Sequence, residues 1–278
     1  MSSPAPPPST PHIGFVGGGN MASALVGGLL RGGHPTSRIA VVEPDATARA
    51  RLAAQGIDCS ADSNALADCD IVVLAVKPQV LRAVAQQLAA ALRQALVVSV
   101  AAGVRLTDLE RWLGGHHRLV RAMPNTPALV GAGVTGLAAS PGLSDSDRDT
   151  AARLFAAVGS VVWVANDAGI DAVTAVSGSG PAYVLLLAEA LAAAAVEQGL
   201  DADTAARLAA DTLAGTAALL HSASEPAATL RARVTSPGGT TERGIAALQD
   251  GGFETLLARA VAAAHERAAE LGALFGKD

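Results

Sequence analysis

The run Gly17-Gly18-Gly19-Asn20-Met21-Ala22 restricts the fold of this chain more than any other segment. It follows a short apolar stretch, His12 to Val16, and leads into Asn20 to Leu30, where Met21, Leu25, Leu29 and Leu30 recur at helical spacing until Gly32-Gly33 stops them. Strand, G-x-G-x-x-A turn and helix are the opening of a βαβ unit. Each small residue has its own task there. Gly17 permits the tight turn, Gly19 lets phosphates approach the backbone, and Ala22 allows close helix–sheet packing. The helix start supplies free N–H groups and a positive dipole end for an anion. A glycine-rich turn without a ligand is the alternative, and the flanking strand and helix count against it. The segment therefore reads as a dinucleotide-binding loop formed by Gly17, Gly18, Gly19, Asn20 and Met21.

Strand and helix patterns keep alternating beyond it. Arg38 to Val42 is a second strand and Ala46 to Gln55 a charged helix. Asp70 to Val76, a continuous apolar run, suits a strand covered on both faces. Val80 to Leu92 is helical, Ala95 to Ala101 is a strand, and Leu106 to Leu113 is a helix. Strands near His117 to Ala122, Gly133 to Ala138 and Ser160 to Val164 follow. Such alternation predicts a Rossmann-type doubly wound parallel sheet, an α/β fold. From Ile170 the strands cease. Asp171 to Val176, Pro181 to Gln198, Asp203 to His221, Thr240 to Gln249 and Glu254 to Leu274 all read as helices. The predicted division is a disordered tail over 1–11, a dinucleotide-binding domain over 12–167 and a helical domain over 168–278.

Composition narrows the partners. Of the 278 residues 50% are hydrophobic but only 3% aromatic, so the apolar mass is mostly Ala, Leu and Val, which suits closely packed helices. The mean hydropathy of +0.36 reflects alanine more than membrane residence. Tyr183 to Val196 is interrupted by Glu189 and short of the ~20 apolar residues of a spanning helix, so it reads as a core or subunit-interface helix. The net charge of −5, without a basic run, argues against nucleic acid. Cys59 and Cys69 have no His/Cys cluster beside them, so no metal site is expected, and both read as reduced thiols of a cytoplasmic protein. Met1 to Pro11, mostly Ser, Pro and Thr, lacks the basic and apolar regions of a signal peptide.

Further candidates surround the loop. Glu43 ends the second strand, where an acid can bond the adenosine ribose hydroxyls and disfavours a 2′-phosphate. Arg49 and Arg51 lie close enough in sequence to serve a phosphate if Glu43 turns outward, and a solvated strand end is the plain alternative. Ala75-Val76-Lys77-Pro78 sits at the carboxyl end of an interior strand, where ligands gather in open α/β sheets. Its backbone is expected to line the cofactor, with no acid–base role for Lys77. In Met123-Pro124-Asn125-Thr126-Pro127, Asn125 either holds a polar group of the nicotinamide or substrate or bonds its own loop. Ser177-Gly178-Ser179-Gly180-Pro181 reads as a break between two helices, with Ser179 or Gly180 as N-cap and Pro181 at the first helical position. Thr235-Ser236-Pro237-Gly238-Gly239-Thr240-Thr241 places a Gly-Gly turn and hydroxyl residues at a helix mouth. Its consecutive N–H groups suit a carboxylate without lysine or arginine, and Ser236 and Thr240 add donors.

The motifs VRAMPNTP, SGSGPAY and VTSPGGTTERG, with GFVGGGNMA, AVKP and SVAAGV, resemble the pyrroline-5-carboxylate reductase family over nearly the whole chain apart from the tail. The resemblance implies reduction of Δ1-pyrroline-5-carboxylate to L-proline with NADPH or NADH, the last step of proline biosynthesis. It implies an all-α domain that interlocks with a second subunit, and homodimers that build assemblies such as decamers. It also implies that the substrate carboxylate rests on Ser236, Gly238, Gly239, Thr240 and Thr241, with the Thr241 hydroxyl near the ring nitrogen as the catalytic candidate. Glu43 departs from many relatives, which carry small polar residues there, and leaves NADH against NADPH open.

The chemistry agrees with the residues. A protonated imine accepts hydride readily, so an enzyme mainly has to hold the ring carbon within roughly 3–3.5 Å of the donor carbon. Thr241 can orient the nitrogen or relay a proton from water, although a hydroxyl is a poor general acid. His116, His117, His221 and His265 read as surface residues. A β-hydroxyacid dehydrogenase is the enzymatic rival, but its chemistry normally uses a lysine on the first long helix of the second domain, and 171–211 contains none. A redox-sensing NAD(P)-binding dimer is the non-enzymatic rival and needs no anion loop.

Overall fold

The computed structural model describes residues 10–92 and 94–277; positions 1–9 of the expected tail lie outside the described residues. Short, mostly apolar runs, with the polar β3 as the exception, form β1 Ile13–Val16, β2 Ile39–Val42, β3 Asp58–Ser60, β4 Ile71–Leu74, β5 Leu96–Ser99, β6 Leu119–Met123, β7 Gly133–Ala139 and β8 Gly159–Trp163. They make one sheet of order β3-β2-β1-β4-β5-β6-β7-β8. Its crossovers are α1 Asn20–Arg31, α2 Ala46–Ala53, α3 Pro78–Leu88 and α4 Leu106–Trp112, with α5 Asp145–Ala156 between β7 and β8. Alternate strand residues feed two cores, one on each face of the sheet. Phe15, Val41, Val73 and Val98 join Leu25 and Phe155 on one face. Val72, Leu74 and Val97 join Leu81, Leu109 and Trp112 on the other.

The sheet is not wholly parallel, which corrects the expectation. β6 and β7 pair antiparallel, and β7 and β8 run parallel to each other. The link over 124–132 is shorter than the dozen or so residues that a parallel crossover takes, so the chain must return as a hairpin-like pair.

The helical part starts with α6 Asp167–Val173 and continues through a π-helical turn, Thr174–Gly178, into α7 Gly180–Glu197. α8 Ala202–Ser222, α9 Ala227–Arg233, α10 Thr240–Asp250 and α11 Phe253–Phe275 follow. Two compact units result. One holds the residues up to Ser179 together with those from Ala264, and the other spans Gly180–Ala263. The secondary structure changes to all-helical near 167, as the sequence suggested, yet α6 stays with the sheet because its buried Ile170 and Asp171 pack there. The end of α11 returns to the same unit, with Leu271 and Phe275 against Gly103 and Gly272 against Arg105.

The junction expected at Ser177 to Pro181 is present: the π turn ends at Gly178, Ser179 is a bend, and α7 opens at Gly180 with Pro181 in its first turn. From Asp167 to Glu197 these helical pieces form a 31-residue stretch that by length and composition alone is long and apolar enough to cross a membrane. None of the α7 residues is buried. A core role within this chain is thereby removed, and the interface role remains.

Candidate active site

Strand register brings three loop starts to one edge of the sheet. Val16 lies beside both Val42 and Leu74, so the chain leaves β1, β2 and β4 at one level. The strand order reverses between β1 and β4, the switch point where open α/β sheets hold ligands. Gly17 has φ +98°, and a Cβ there would lie 2.8 Å from the Ala75 carbonyl oxygen, so only glycine fits. Its N–H donates to the Val42 carbonyl at 2.8 Å. A Cβ on Gly19, the residue before α1, would meet nothing within 4 Å, which leaves the helix start open to a ligand. Asn20 is exposed, Met21 half-buried and Ala22 fully buried against the sheet. Ala75 is tied to β1 through its N–H on the Val16 carbonyl at 2.8 Å, Val76 follows half-buried, Lys77 is exposed, and Pro78 opens α3. The cradle fits a dinucleotide: an open loop, free N–H groups and a helix dipole converge at the switch point.

Glu43 is not a loose strand end. Its Oε2 accepts the Gly18 N–H at 2.7 Å and its Oε1 accepts the Asp45 N–H at 2.8 Å. Arg49 donates to the carbonyls of Glu43 at 2.7 Å and Pro44 at 2.8 Å, and Arg51 donates to the Gly18 carbonyl at 3.0 Å.

Asn125 is 8% exposed, and the protein uses both ends of its amide. Oδ1 accepts the Val134 N–H at 2.9 Å, and Nδ2 donates to the Ser177 carbonyl at 3.1 Å. Ser177 stands four residues before Pro181, which has no N–H to offer that carbonyl. The π turn widens the helix at this point, with the Ser179 N–H reaching the Thr174 carbonyl at 2.9 Å. The amide of Asn125 thus repairs the bond that Pro181 removes. These bonds give Asn125 a positioning role, the structural one of the two readings open from sequence.

The anion loop is built by φ +71° at Gly238, a conformation open to glycine, followed by Gly239 in extended geometry ahead of α10. The N–H groups of Thr240 and Thr241 lack backbone partners, as first-turn donors do. Among the described residues the hydroxyls of Ser236, Thr240 and Thr241 are exposed and make no hydrogen bond to protein. Two N–H groups of the expected set are already used. Gly239 donates to the Ser236 carbonyl at 3.0 Å, and Gly238 donates to Glu242 Oε2 at 2.7 Å. Glu242 escaped the sequence reading; an acid in the first turn of α10 was its signal.

Arg121, in the VRAMPNTP motif, escaped it as well. The side chain is 1% exposed and bridges Asp167 at 2.7 Å and Asp171 at 2.9 Å. His116 is half-buried on the Ala95 carbonyl, and burial lowers its pKa, so it is not the free surface residue expected. Cys59 and Cys69 are free thiols, and burial pushes Cys69 up to about 11.

Comparison with known proteins agrees with this arrangement. A family model described as pyrroline-5-carboxylate reductase dimerisation matches residues 167–271. A model described as NADP oxidoreductase, coenzyme F420-dependent, matches 12–103. The pyrroline-5-carboxylate reductase of Pseudomonas aeruginosa is 47% identical, with 97% of this chain and all of that protein covered. That of Pisum sativum is 40% identical over 93% of this chain and 95% of its own length. A solved pyrroline-5-carboxylate reductase from Coxiella burnetii superposes with TM-score 0.91 at 40% identity, covering 95% of this chain and 99% of that one. The Plasmodium falciparum pyrroline carboxylate reductase with NADP bound gives TM-score 0.81 at 29% identity, covering 94% and 98%. With a Rossmann-type domain, an all-helical second half and relatives matched end to end, this chain belongs to the pyrroline-5-carboxylate reductase family.

Proposed function

We propose that this chain reduces Δ1-pyrroline-5-carboxylate to L-proline, the last step of proline biosynthesis, with NADH or NADPH as donor. The observation that carries the reading is the loop from Ser236 to Thr241, rich in free donors and devoid of lysine and arginine, in a chain that also has a dinucleotide cradle. Such a loop suits a carboxylate-bearing substrate whose other end becomes an iminium, because no fixed cation stands beside the positive charge.

Gly17, Gly18, Gly19, Asn20 and Met21 are assigned to the pyrophosphate, Glu43 to the ribose, and Ala75 to Pro78 to the wall of the nicotinamide cleft. Ser236, Gly238, Gly239, Thr240 and Thr241 are assigned to the substrate carboxylate. Thr241 is the catalytic candidate, orienting the ring nitrogen or relaying a proton from water to it. When bound, the reduced nicotinamide supplies the hydride. Holding the ring carbon in line with that donor is the main task left to the protein.

We further propose a homo-oligomer of interlocked dimers, with a decamer as the larger assembly, in the cytoplasm. The uncovered apolar face of α7 supports the dimer, and the free thiols support a reducing compartment.

The test supplies pyrroline-5-carboxylate with NADH or NADPH and follows loss of absorbance by the reduced nicotinamide. Absence of oxidation with both cofactors would sink the reading. Thr241→Ala should lower kcat by roughly 10²-fold, the low end of what a proton-handling group contributes, while cofactor Kd stays the same. Unchanged turnover would remove Thr241 from the chemistry.

A further inference from the structure

Glu43 is held at three points. Its own N–H donates to the Ser60 carbonyl at 2.9 Å, and its two carboxylate oxygens accept from Gly18 and Asp45. The side chain therefore lies against the second glycine of the loop, with its charge fixed beside the edge where β1 and β2 end. Each oxygen has spent one acceptor position on a backbone N–H. A carboxylate offers about four such positions, so two remain for a neighbouring diol. The surroundings lock this state. Arg49 and Arg51 are the first positive charges that follow Glu43 in sequence, and the bonds they make run to backbone carbonyls that frame the carboxylate.

Resting on the proposed use of a nicotinamide cofactor, we infer that Glu43 makes this chain select the unphosphorylated cofactor, NADH, by reading the adenosine ribose as a diol. A 2′-phosphate carries about −1.5 to −2 charges at neutral pH and would face a carboxylate that cannot withdraw without giving up two N–H bonds. The Gly18 N–H, a donor that a phosphate would use, is already occupied by Glu43. Arg51 becomes available to a phosphate only by leaving the Gly18 carbonyl. In this respect the chain parts from the Plasmodium falciparum relative, whose structure contains NADP.

The test measures Kd for NADH and NADPH without substrate, by titration calorimetry, and kcat/KM for each with pyrroline-5-carboxylate. The wild-type chain should bind NADH at least about tenfold more tightly than NADPH. Glu43→Gln keeps the shape and one acceptor oxygen but removes the charge, and Glu43→Ser opens the site. Both should weaken NADH and strengthen NADPH, shifting the ratio of the two Kd values by tenfold or more. In the Glu43→Ser chain, Arg51→Ala should then cancel the gain for NADPH. If Glu43 merely staples the loop, its variants lose both cofactors in proportion and the ratio stays put, which overturns the inference. A wild-type preference for NADPH overturns it as well. The binding arm needs no turnover, so a chain that binds NADH selectively yet fails to reduce the imine would refute the reductase reading alone.

Discussion

Arg121 shows how one side chain can join elements that lie far apart in sequence. Its guanidinium sits within β6 and meets carboxylates 46 and 50 residues further on, Asp167 and Asp171, at the start of α6. Arg121→Met would leave the buried Asp171 and the half-buried Asp167 without a counter-charge and should cost about 3–5 kcal/mol, read as a lower urea midpoint. Adding Asp171→Leu should recover part of that loss, and a second substitution that only adds damage would contradict the account. The cysteines make a quieter residue-scale forecast. With Cys69 raised to about 11 by burial, only about one thiol in a thousand is ionised at pH 8, so iodoacetamide should label it only after unfolding. Labelling of the native chain at Cys69 would show that its pocket opens readily. Gly17 could be read from sequence because its demand is local, a positive φ and no room for a Cβ beside Ala75. Arg121 could not, because nothing within ten residues of it names its partners.

At the scale of elements, the same contrast separates what pattern reveals from what it hides. Strands such as β4 and β5 stand out as unbroken apolar runs, and their ends shift by only a residue or two. β3 is too short for periodicity to register, at three residues, and α9 has no buried residue to mark a face. α5 leaves little periodic trace because only Ala151, Leu154 and Phe155 are buried along it. Its start was nevertheless marked, by Ser144 capping the Asp147 N–H and by acids in the first turn. The run from Thr174 to Pro181 was legible as a junction, whereas its π turn was not. A proline is accepted in the first turn of a helix, and here a π turn precedes it while the Asn125 amide serves the Ser177 carbonyl. Asn125→Ala should cost about 1–3 kcal/mol for each buried group left unpaired, by urea titration. In a Pro181→Ala background that cost should shrink, because the substituted residue brings an N–H for the Ser177 carbonyl. Strictly additive effects would disprove the repair.

For the whole molecule, α7 is a conspicuous exposed apolar element. Val184, Leu185, Leu186 and Leu191 are all exposed on it, an apolar surface of a kind that soluble monomers seldom leave uncovered. Leu186→Glu should convert dimers to monomers in analytical ultracentrifugation, and a persistent dimer would move the interface elsewhere. The candidate site follows the same division of legibility. Its glycine loops announced themselves, because each rests on contiguous residues. The engagement of Gly18 by Glu43 and of Gly238 by Glu242 did not, because a side-chain hydrogen bond to a loop leaves no periodic trace.

The return of α11 to the first unit has a bearing on how the chain comes off the ribosome. Leu271, Gly272 and Phe275 lie against Gly103 and Arg105, and Arg111 donates to the Gly276 carbonyl at 3.1 Å. Those partners are separated by more than a hundred and sixty positions, so the sheet unit waits, partly unsealed, through synthesis of everything in between. A nascent chain stalled after Ala263 should stay sensitive to protease near Gly103, while the released chain resists, and the surface beneath α11 is where a folding helper would find it in the meantime.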